Sequence, residues 1–358
     1  MMQTNFWDSK RVLITGHTGF KGSWLSLWLQ HLGADVYGYS SSLPVSEPHL
    51  YEIAQVSKNM DSMYGDILDY ERLQSFIQKI QPEIIFHLAA QPLVRESYIK
   101  PIATFSTNVM GTVHLLEAAR HTESVRIVIN VTTDKCYENS SNSLLGFIEN
   151  NPVGGSDPYS ASKACSEIVT TAYERSFYRN ISKLLSSARA GNVIGGGDWA
   201  ADRIIPDMIR SITNKQPLNI RYPQAIRPWQ HVLDCLNGYL LLAQKMWESG
   251  EKYIGSWNFG PGESSIISVA QLIEECNKYL GNKLEVLYES DTQPYEAKTL
   301  VLNSEKAEKL LNWGIKLPVK QSIEWTMDWY TNYMSNSLND LTLRQISNYE
   351  KIKAARLS

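Results

Sequence analysis

Short apolar runs alternate with segments of helical spacing along the first half of the chain. The runs Arg11–Thr15, Asp35–Tyr39 and Ile84–Gln91 each have the length of a strand, and the last is apolar along most of its length. Such a run is typical of a strand that is buried on both faces of a parallel sheet. Between the runs, Tyr70–Ile80 and Pro101–Arg120 carry apolar residues at helical spacing. Strands that alternate with helices predict an α/β fold with a doubly wound parallel sheet.

The pattern changes after residue 188. The stretches Arg189–Trp199 and Arg227–Val232 combine arginines with tryptophans, and the first is rich in glycine. Arginines in loops suit an anionic ligand, although a surface salt bridge is the simpler interpretation of any single one. We predict that residues 1–188 form the sheet domain and that residues 189–358 form mainly a smaller C-terminal lobe, with some segments returning to the first domain. The polar end, residues 340–358, is predicted to be a surface helix or tail.

Composition excludes several classes of protein. The 358 residues carry a formal net charge of −3 and 20% of them are charged, so no footprint for nucleic acid or a membrane surface is indicated. No apolar run approaches the roughly 18 residues of a membrane span, and the polar start of the chain is unlike a signal peptide. The four cysteines are scattered without a C-x-x-C pair. This favours reduced thiols in a cytoplasmic protein, without disulfides or a metal site.

A glycine-rich turn follows the first strand. Gly16, Gly19 and Gly22 are spaced G-x-x-G-x-x-G and lead into a helical pattern from Ser23. Glycines let a backbone approach phosphates, and a helix N-terminus offers free N–H groups, so the turn indicates a pyrophosphate site. An ordinary glycine-rich turn is the alternative. For His17, a solvent-facing loop position is favoured over a place beside the phosphates.

The end of the second strand bears on the choice of cofactor. An acidic residue there would bind the ribose of NAD, and an arginine would bind the extra phosphate of NADP. The chain has neither in Ser40–Ser42. Because no arginine is present, NAD is predicted over NADP.

Two polar clusters follow the strand-like run Arg126–Val131. Thr133 and Asp134 come soon after it, and Tyr159 and Lys163 lie four residues apart in a helical pattern. Residues at this spacing share one face of a helix, so the ammonium is expected to lower the pKa of the phenol and make it a base near neutral pH. Alone, a Y-x-x-x-K pair is more simply two residues on a solvated helix. Its place after a strand, in a chain with a dinucleotide-type turn, favours a catalytic pair.

The motifs together resemble a known family. The pattern T-G-x-x-G-F-x-G, H-L-A-A-Q, T-N-x-x-G-T, T-T-D, Y-S-A-S-K and N-F-G-P is similar to the extended short-chain dehydrogenase/reductases that act on sugar nucleotides. Within that group, an aspartate at the position of Asp134 marks the nucleotide-sugar 4,6-dehydratases. The stretches His17–Trp24, Thr133–Tyr137 and Gly191–Trp199 resemble the members that act on CDP-glucose. The resemblance covers about residues 11–330.

The resemblance implies a reaction sequence. Tyr159, with Lys163 and Thr133, would remove the 4-hydroxyl proton while the C4 hydride passes to NAD. A base would then take the C5 proton, Asp134 would protonate the departing 6-hydroxyl, and the hydride would return to C6. The product would be CDP-4-dehydro-6-deoxy-D-glucose plus water, a precursor of deoxysugars of surface polysaccharide. Relatives that act on dTDP-glucose have a glutamate as the C5 base where this chain has Lys135, and an ordinary ammonium cannot accept a proton.

The resemblance also implies binding residues and an assembly. Residues 1–188 would be an NAD-binding Rossmann domain that carries the catalytic residues, and 189–358 the substrate-binding lobe. The NAD site would comprise Gly16, His17, Gly19, Phe20, Gly22, Asp66, Ile67, Leu88, Ala89, Gln91, Asn108, Tyr159 and Lys163. The CDP-sugar site would comprise Asn192, Arg203, Ile204, Arg227 and His231. The helices that start near Pro101 and Tyr159 would pair into a four-helix bundle in a homodimer, with a tetramer as the alternative.

Other functions remain open at this point. One is a 4,6-dehydratase of another nucleotide sugar, because the base is assigned by resemblance alone. A second is an epimerase or reductase on the same fold, which Asp134 and Lys135 argue against. A third is a non-catalytic dinucleotide sensor, which would have no need of Thr133, Tyr159 and Lys163.

Overall fold

The computed structural model describes residues 6–43, 47–138, 146–262, 265–288, 300–333 and 338–355. Its strands are β1 (Arg11–Thr15), β2 (Asp35–Ser40), β3 (Asp61–Tyr64), β4 (Ile84–His87), β5 (Ile127–Val131), β6 (Leu184–Ala190), β7 (Asn192–Ile194), β8 (Leu218–Ile220), β9 (Ile226–His231), β10 (Gly255–Phe259), β11 (Ile266–Ser268) and β12 (Val286–Tyr288). Its α-helices are α1 (Phe20–His31), α2 (Leu50–Ile53), α3 (Tyr70–Ile80), α4 (Val94–Ile99), α5 (Pro101–Phe105), α6 (Gly111–Arg120), α7 (Pro158–Tyr173), α8 (Ile204–Asn214), α9 (Val232–Ser249), α10 (Val269–Tyr279), α11 (Glu305–Leu311), α12 (Val319–Thr331) and α13 (Leu338–Ala355).

The central sheet confirms the predicted fold class. The described strands form a seven-stranded sheet in the order β10-β6-β5-β4-β1-β2-β3, and each neighbouring pair in it is parallel. The chain order reverses between β1 and β4, which places a crevice beyond their carboxyl ends. The glycine turn leaves β1 at this crevice, and Leu88–Gln91 leaves β4 beside it.

Helices cover both faces of the sheet because successive residues of a strand point to opposite sides. Val12 and Ile14 of β1 pack in one core with α1 and α9. Leu13, between them, packs in a second core with α3 and α6. Both faces are therefore apolar, as the unbroken apolar run of β4 predicts.

Later parts of the chain return to the central sheet. The strand β10 pairs with β6, from Gly255 opposite Ser186 to Phe259 opposite Ala190, and α9 packs in the core below it. The described remainder includes a three-stranded sheet, β11-β9-β7, and a two-stranded sheet, β12-β8. The domain boundary at residue 188 stays a prediction.

The C-terminal helix corrects the prediction for residues 340–358. Within α13, Leu341, Ile346 and Tyr349 are buried, and the Tyr349 hydroxyl donates to Asp234 Oδ1 at 2.7 Å. The predicted surface helix is present as α13, and the alternative of a free tail is wrong for it, because widely spaced apolar residues in a polar segment suffice to dock one face. Residues 356–358 lie outside the described residues.

The two long helices that the sequence predicts are present. The helix Pro101–Arg120 consists of α5, a π-helical turn at Ser106–Met110, and α6. The helix that carries Tyr159 continues beyond α7 as a π-helical turn to Tyr178. Among the described helices, none is both long and apolar enough to cross a membrane.

Candidate active site

The glycine turn has the geometry of a phosphate cradle. Gly16 has a φ of 73°, and a Cβ there would lie 2.7 Å from the backbone nitrogen of Ala89. A Cβ on Gly22 would lie 2.2 Å from the Gly16 carbonyl oxygen, so both positions require glycine. A Cβ on Gly19 would meet only that oxygen, at 3.4 Å, among the described atoms within 4 Å. The turn is therefore closed toward the protein and open at Gly19, where the N-terminus of α1 offers its N–H groups to an anion.

The structure corrects the interpretation of His17. Its side chain is fully buried under the turn, where Nδ1 lies 3.0 Å from Ser40 Oγ and the ring meets Tyr51 edge-on. Burial lowers the pKa of His17 to about 4, against a smaller opposite effect of a hydrogen bond with the Tyr39 backbone. The prediction of a solvent-facing histidine is wrong, because Gly38 leaves room for the ring on β2. A neutral His17 supports the loop from below.

One further segment, Asp66–Ile67, borders the crevice on the β2 side. The exposed Asp66 accepts a hydrogen bond from the Leu68 N–H at 2.9 Å. Ile67 is buried against Gly111, where a Cβ would lie 2.8 Å from Ile67 Cγ2. This places Asp66 and Ile67 beyond β3, at the side of the crevice where a dinucleotide would carry its adenine.

The segment after β4 is fixed by the π-helical turn. Asn108, which is buried in that turn, accepts a hydrogen bond from the Gln91 N–H at 2.8 Å and donates to the Gln91 carbonyl at 3.1 Å. It also donates to Ser162 Oγ at 2.8 Å. Asn108 thus ties the end of β4, with Leu88 and Ala89, to the helix that carries Tyr159 and Lys163. A π-turn often marks such a functional position.

The helix α7 presents Tyr159 at its first turn. Asp157 caps the helix by accepting from the Ser160 N–H at 2.9 Å, and the Tyr159 N–H donates to Ser97 Oγ at 3.2 Å. Burial raises the pKa of Tyr159 to about 12; a hydrogen bond with Thr133 opposes this, and the Asp134 charge adds to it. The predicted lowering of the Tyr159 pKa is wrong. The loss of hydration on burial raises this pKa by more than the neighbouring protein groups lower it.

Lys163 lies one turn further along α7. Its ammonium donates to the Val131 carbonyl at 3.2 Å, at the end of β5. Burial lowers the pKa of Lys163 to about 8, and the Glu167 charge partly opposes this. A buried ammonium with one protein acceptor among the described residues has donors to spare for a ligand.

The turn after β5 brings three predicted residues together. Thr133 Oγ1 donates to Asp134 Oδ1 at 2.9 Å and accepts from the Lys135 N–H at 3.4 Å. Asp134 is buried, and burial raises its pKa, although the charge of Lys135, the Thr133 hydrogen bond and the charge of Arg227 act in the opposite direction. A carboxyl with a raised pKa next to Tyr159 is suited to donate a proton.

A buried ionic network lies behind this turn, and the sequence did not indicate it. Glu167, one turn after Lys163, accepts hydrogen bonds from Arg189 Nη2 at 2.7 Å, from Ser187 Oγ at 2.7 Å, and from Thr132 Oγ1. Arg189 Nη1 donates to the Tyr137 hydroxyl at 2.7 Å. The network locks α7 to the ends of β5 and β6, and so fixes Tyr159 relative to Asp134.

The predicted substrate residues divide into two groups. Arg227, on β9, is buried, and its charge acts on Asp134. Asn192 follows Gly191, where a Cβ would lie 3.0 Å from Asp134 Oδ2. The structure therefore brings Arg227 and Asn192 to the catalytic turn.

Arg203 and its neighbour Ile204 lie at the start of α8. Arg203 Nη1 pairs with Asp198 Oδ2 at 2.7 Å, and its charge also reaches Tyr159. His231 is placed differently: it is fully buried, and its Nδ1 accepts from the Leu233 N–H at 3.3 Å, which caps α9. The His231 ring meets Trp24 of α1 and Trp325 of α12 edge-on, and burial lowers its pKa to about 3.

Lys21 is a charged residue of the crevice that the sequence analysis passed over. It is the second residue of α1, within the quoted motif His17–Trp24, and its charge acts on both Asp134 and Lys163. The signal that could have identified it is a cation inside an otherwise neutral phosphate turn. Among the described residues, no cluster of three or more His, Cys, Asp or Glu side chains is arranged to hold a metal ion.

Comparison with known proteins agrees with this geometry. The family model described as GDP-mannose 4,6 dehydratase matches residues 13–326. The chain is 45% identical to the CDP-glucose 4,6-dehydratase of Salmonella typhimurium over 355 residues, which cover 98% of each protein. It is 28% identical to the dTDP-glucose 4,6-dehydratase of Haemophilus influenzae over 91% of this chain and 99% of that one.

Solved structures show the same fold. An epimerase of Methanothermobacter thermautotrophicus, Mth375, has a TM-score of 0.79 and 25% identity over 98% of this chain and 96% of its own. The dTDP-glucose 4,6-dehydratase of Bacillus anthracis, solved with NAD, has a TM-score of 0.75 and 23% identity over 90% and 97%. The chain therefore belongs to the GDP-mannose 4,6 dehydratase family, among the extended short-chain dehydrogenase/reductases that its motifs resemble.

Proposed function

We propose that the protein is an NAD-dependent 4,6-dehydratase that converts CDP-D-glucose to CDP-4-dehydro-6-deoxy-D-glucose and water. The observation that carries this proposal is the buried Asp134 carboxyl, with its raised pKa, next to the Thr133–Tyr159 pair. An oxidoreductase of this fold needs the tyrosine, whereas only loss of a hydroxyl needs a proton donor beside it. The 45% identity to the Salmonella enzyme supports CDP-glucose as the substrate.

The crevice residues fit NAD. The open side of the glycine turn at Gly19 suits the pyrophosphate, and the free donors of Lys163 suit the hydroxyls of a ribose. Ser40 to Ser42 offer no arginine for the extra phosphate of NADP. When bound, NAD supplies a reversible hydride acceptor and a positive charge beside the phenol of Tyr159.

Tyr159 and Asp134 divide the proton transfers. Tyr159 takes the proton of the 4-hydroxyl, with Thr133 as a hydrogen-bond partner of the phenol, and Lys163 lies one turn further along the same helix. A 4-ketone then makes the C5 proton acidic. Asp134 protonates the 6-hydroxyl as it leaves as water, which requires a carboxyl that still holds its proton, and burial provides this.

Lys135 is the proposed C5 base. It lies next to Asp134 and is partly exposed, and its charge favours the ionised form of that carboxyl. A structural cation that steadies Asp134 or the substrate phosphates is the alternative. With that role for Lys135, a water or Tyr159 would take the C5 proton.

The substrate's diphosphate would lie toward the arginines. Arg227 is buried beside the catalytic turn, and Arg203 lies at the start of α8, where Ile204 and Asn192 would contact the nucleotide or sugar. Guanidinium groups suit phosphate oxygens because their donors match the geometry of the oxygens. His231 would support this region from below.

A substrate screen tests the proposal. The purified protein with NAD is given CDP-, dTDP-, UDP- and GDP-glucose, and the products are followed by mass spectrometry and by the absorbance of the 4-keto sugar. We expect loss of one water from CDP-glucose without net use of cofactor, and no such product with Tyr159→Phe. A product of unchanged mass would indicate an epimerase, and conversion of another nucleotide sugar alone would refute CDP-glucose.

We also propose a homodimer through a four-helix bundle, with a tetramer as the alternative. The helices from Pro101 and Pro158 expose large apolar side chains: Ile102 is 83% and Ile168 57% exposed. Exposed apolar side chains on both helices suit contact with a second copy of the chain. Light scattering should give twice the monomer mass, and Ile102→Lys should reduce it while the surface variant Leu310→Lys should not. The four free thiols support a cytoplasmic location.

A further inference from the structure

A cation lies at the point where the phosphate turn meets the catalytic residues. Lys21 occupies the first turn of α1, two residues after Gly19. The lysine adds a side-chain charge to a turn that otherwise offers an anion its backbone N–H groups. Its position on the helix allows its side chain to extend along the crevice.

The Lys21 side chain is held against α9. Its Nζ lies 6.0 Å from the centroid of the Tyr239 ring and hydrogen-bonds the Cys235 thiol, whose pKa burial raises and Lys21 lowers. Cys235 in turn donates to the Tyr239 hydroxyl at 3.1 Å. Both partners are fully buried, so the ammonium has a defined place and is not a free surface charge.

Electrostatic interactions connect this place with the catalytic residues. Burial is the main influence on the pKa of Asp134 and of Lys163, and the Lys21 charge acts on both residues. Tyr239, beside Lys21, also interacts electrostatically with Tyr159. A dinucleotide that runs from the glycine turn to Tyr159 would pass the first turn of α1, which carries Lys21.

We propose that Lys21 is a positioning residue for the redox step, whose ammonium favours the reduced over the oxidised nicotinamide. The oxidised ring carries a positive charge and the reduced ring does not, so a nearby cation opposes only the oxidised form. Lys21 thereby promotes oxidation of the C4 hydroxyl. A contact with the pyrophosphate alone would instead affect both forms equally. This inference rests on the proposed use of NAD.

The ratio of the two affinities measures this effect without turnover. The dissociation constants of NAD+ and NADH are measured by calorimetry for the wild type, Lys21→Met, Lys21→Arg and the exposed control Lys79→Met on α3. We expect Lys21→Met to raise the affinity for NAD+ relative to NADH by about threefold to tenfold. Two charges about 12 Å apart at an effective dielectric constant of about 20 give the upper value. Lys21→Arg, which keeps the charge, should retain the wild-type ratio, as should Lys79→Met.

A second readout uses the stalled reaction. In an Asp134→Asn background, where water loss is expected to stop, the fraction of reduced nicotinamide with saturating substrate reports the C4 redox equilibrium. Adding Lys21→Met should lower this fraction, and Lys21→Gln should do the same where Lys21→Met does not fold.

The outcomes separate the inference from the proposed function. An unchanged ratio, or equal weakening of NAD+ and NADH, would overturn the role of Lys21 while leaving NAD as the cofactor. Failure of the wild type to bind either form would overturn the cofactor proposal itself.

Discussion

Two buried lysines show how the catalytic end of α7 differs from the C-terminal end of α6. Lys163 and Lys183 are similarly buried, and burial lowers the pKa of each to about 8. Lys183 donates to three carbonyls at the end of α6, those of Ala119 at 2.8 Å, Arg120 at 3.2 Å and Thr122. Lys163 donates to the Val131 carbonyl alone among the described residues.

Two buried aspartates repeat the contrast. Asp234 accepts hydrogen bonds from the backbone N–H groups of Lys316 at 2.7 Å and Leu317 at 3.1 Å, and from the Tyr349 hydroxyl. Among the described residues, Asp134 at the catalytic turn accepts one side-chain hydrogen bond, from Thr133 at 2.9 Å. Burial raises the pKa of both carboxyls.

The difference lies in the partners and not in the burial. Structural charges such as Lys183 and Asp234 have their hydrogen-bonding capacity filled by the protein, because an unfilled buried group costs free energy. Lys163 and Asp134 keep capacity that only a ligand can fill. A buried charged group with unused hydrogen-bonding capacity therefore distinguishes the site from the structural charges. The predictions below test both halves of this contrast.

The largest effect is expected for Tyr159→Phe. Without the phenol oxygen no protein group takes the 4-hydroxyl proton, and general acid–base groups contribute about 10²–10⁴-fold to rate. We expect turnover of CDP-glucose to fall by about this factor while the thermal midpoint and NAD binding stay close to wild type. Turnover within tenfold of wild type would remove Tyr159 from its assigned role.

Asp134→Asn should separate the half-reactions. Asparagine keeps the shape but has no acidic proton for the 6-hydroxyl, so oxidation at C4 should proceed and water loss should stall. We expect reduced nicotinamide to accumulate with substrate, seen by its near-ultraviolet absorbance, and the C5 hydrogen still to exchange with deuterated solvent.

Lys135→Ala is the matched comparison for this variant. If Lys135 is the C5 base, reduced nicotinamide accumulates but C5 exchange is suppressed. Exchange at the wild-type rate would assign the base role to water or Tyr159.

The sequence predicted the catalytic half of the molecule well because its motifs are local. Thr133 and Asp134 lie in the turn after a strand, and Tyr159 lies in the first turn of a helix. Each is within a few residues of an element boundary, so hydrophobic periodicity and motif spacing suffice to locate it. The doubly wound sheet follows from the same alternation. The resemblance added the roles, and the family is confirmed by comparison.

The remaining features depend on contacts between distant segments. His17 is buried because Gly38, on the next strand, leaves a gap for its ring, and α13 docks because Asp234 accepts from Tyr349 across 115 residues of sequence. The raised pKa of Tyr159 reflects total burial, which no local pattern reports. These properties could not be predicted from spacing alone.

Lys183→Met should affect stability and not catalysis. It leaves three carbonyls near the end of α6 without their donor, and each unsatisfied buried group costs about 1–3 kcal/mol, part of which water can recover. We expect a loss of about 2–4 kcal/mol in the free energy of unfolding, measured in urea, with near-normal turnover per folded molecule. Lys163→Met should show the reverse, an effect on catalysis and not on stability. We expect its free energy of unfolding to fall by at most about 1 kcal/mol, because the substitution also removes a desolvated charge. Equal losses of stability in both variants would contradict the contrast.

The last expected effect concerns Asp234, and it appears only as a pH dependence of stability. Burial raises its pKa from 3.8 to about 6, against the hydrogen bonds from Lys316, Tyr349 and Leu317 and the Lys316 charge. Between about pH 4 and 6 the folded state therefore binds more protons than the unfolded state, so this residue's contribution to stability falls as the pH rises through that window, by up to about 3 kcal/mol. Paired carboxyls such as Glu167, whose pKa is lowered, act in the opposite sense, so the measurement is a difference. We expect the free energy of unfolding of the wild type minus that of Asp234→Asn to decrease across the window. Tyr349→Phe, which removes one donor, should move the window of the intact Asp234 to higher pH. A difference that is constant from pH 4 to 7 would show that the three donors stabilise the ionised carboxyl fully, and that burial does not set its pKa.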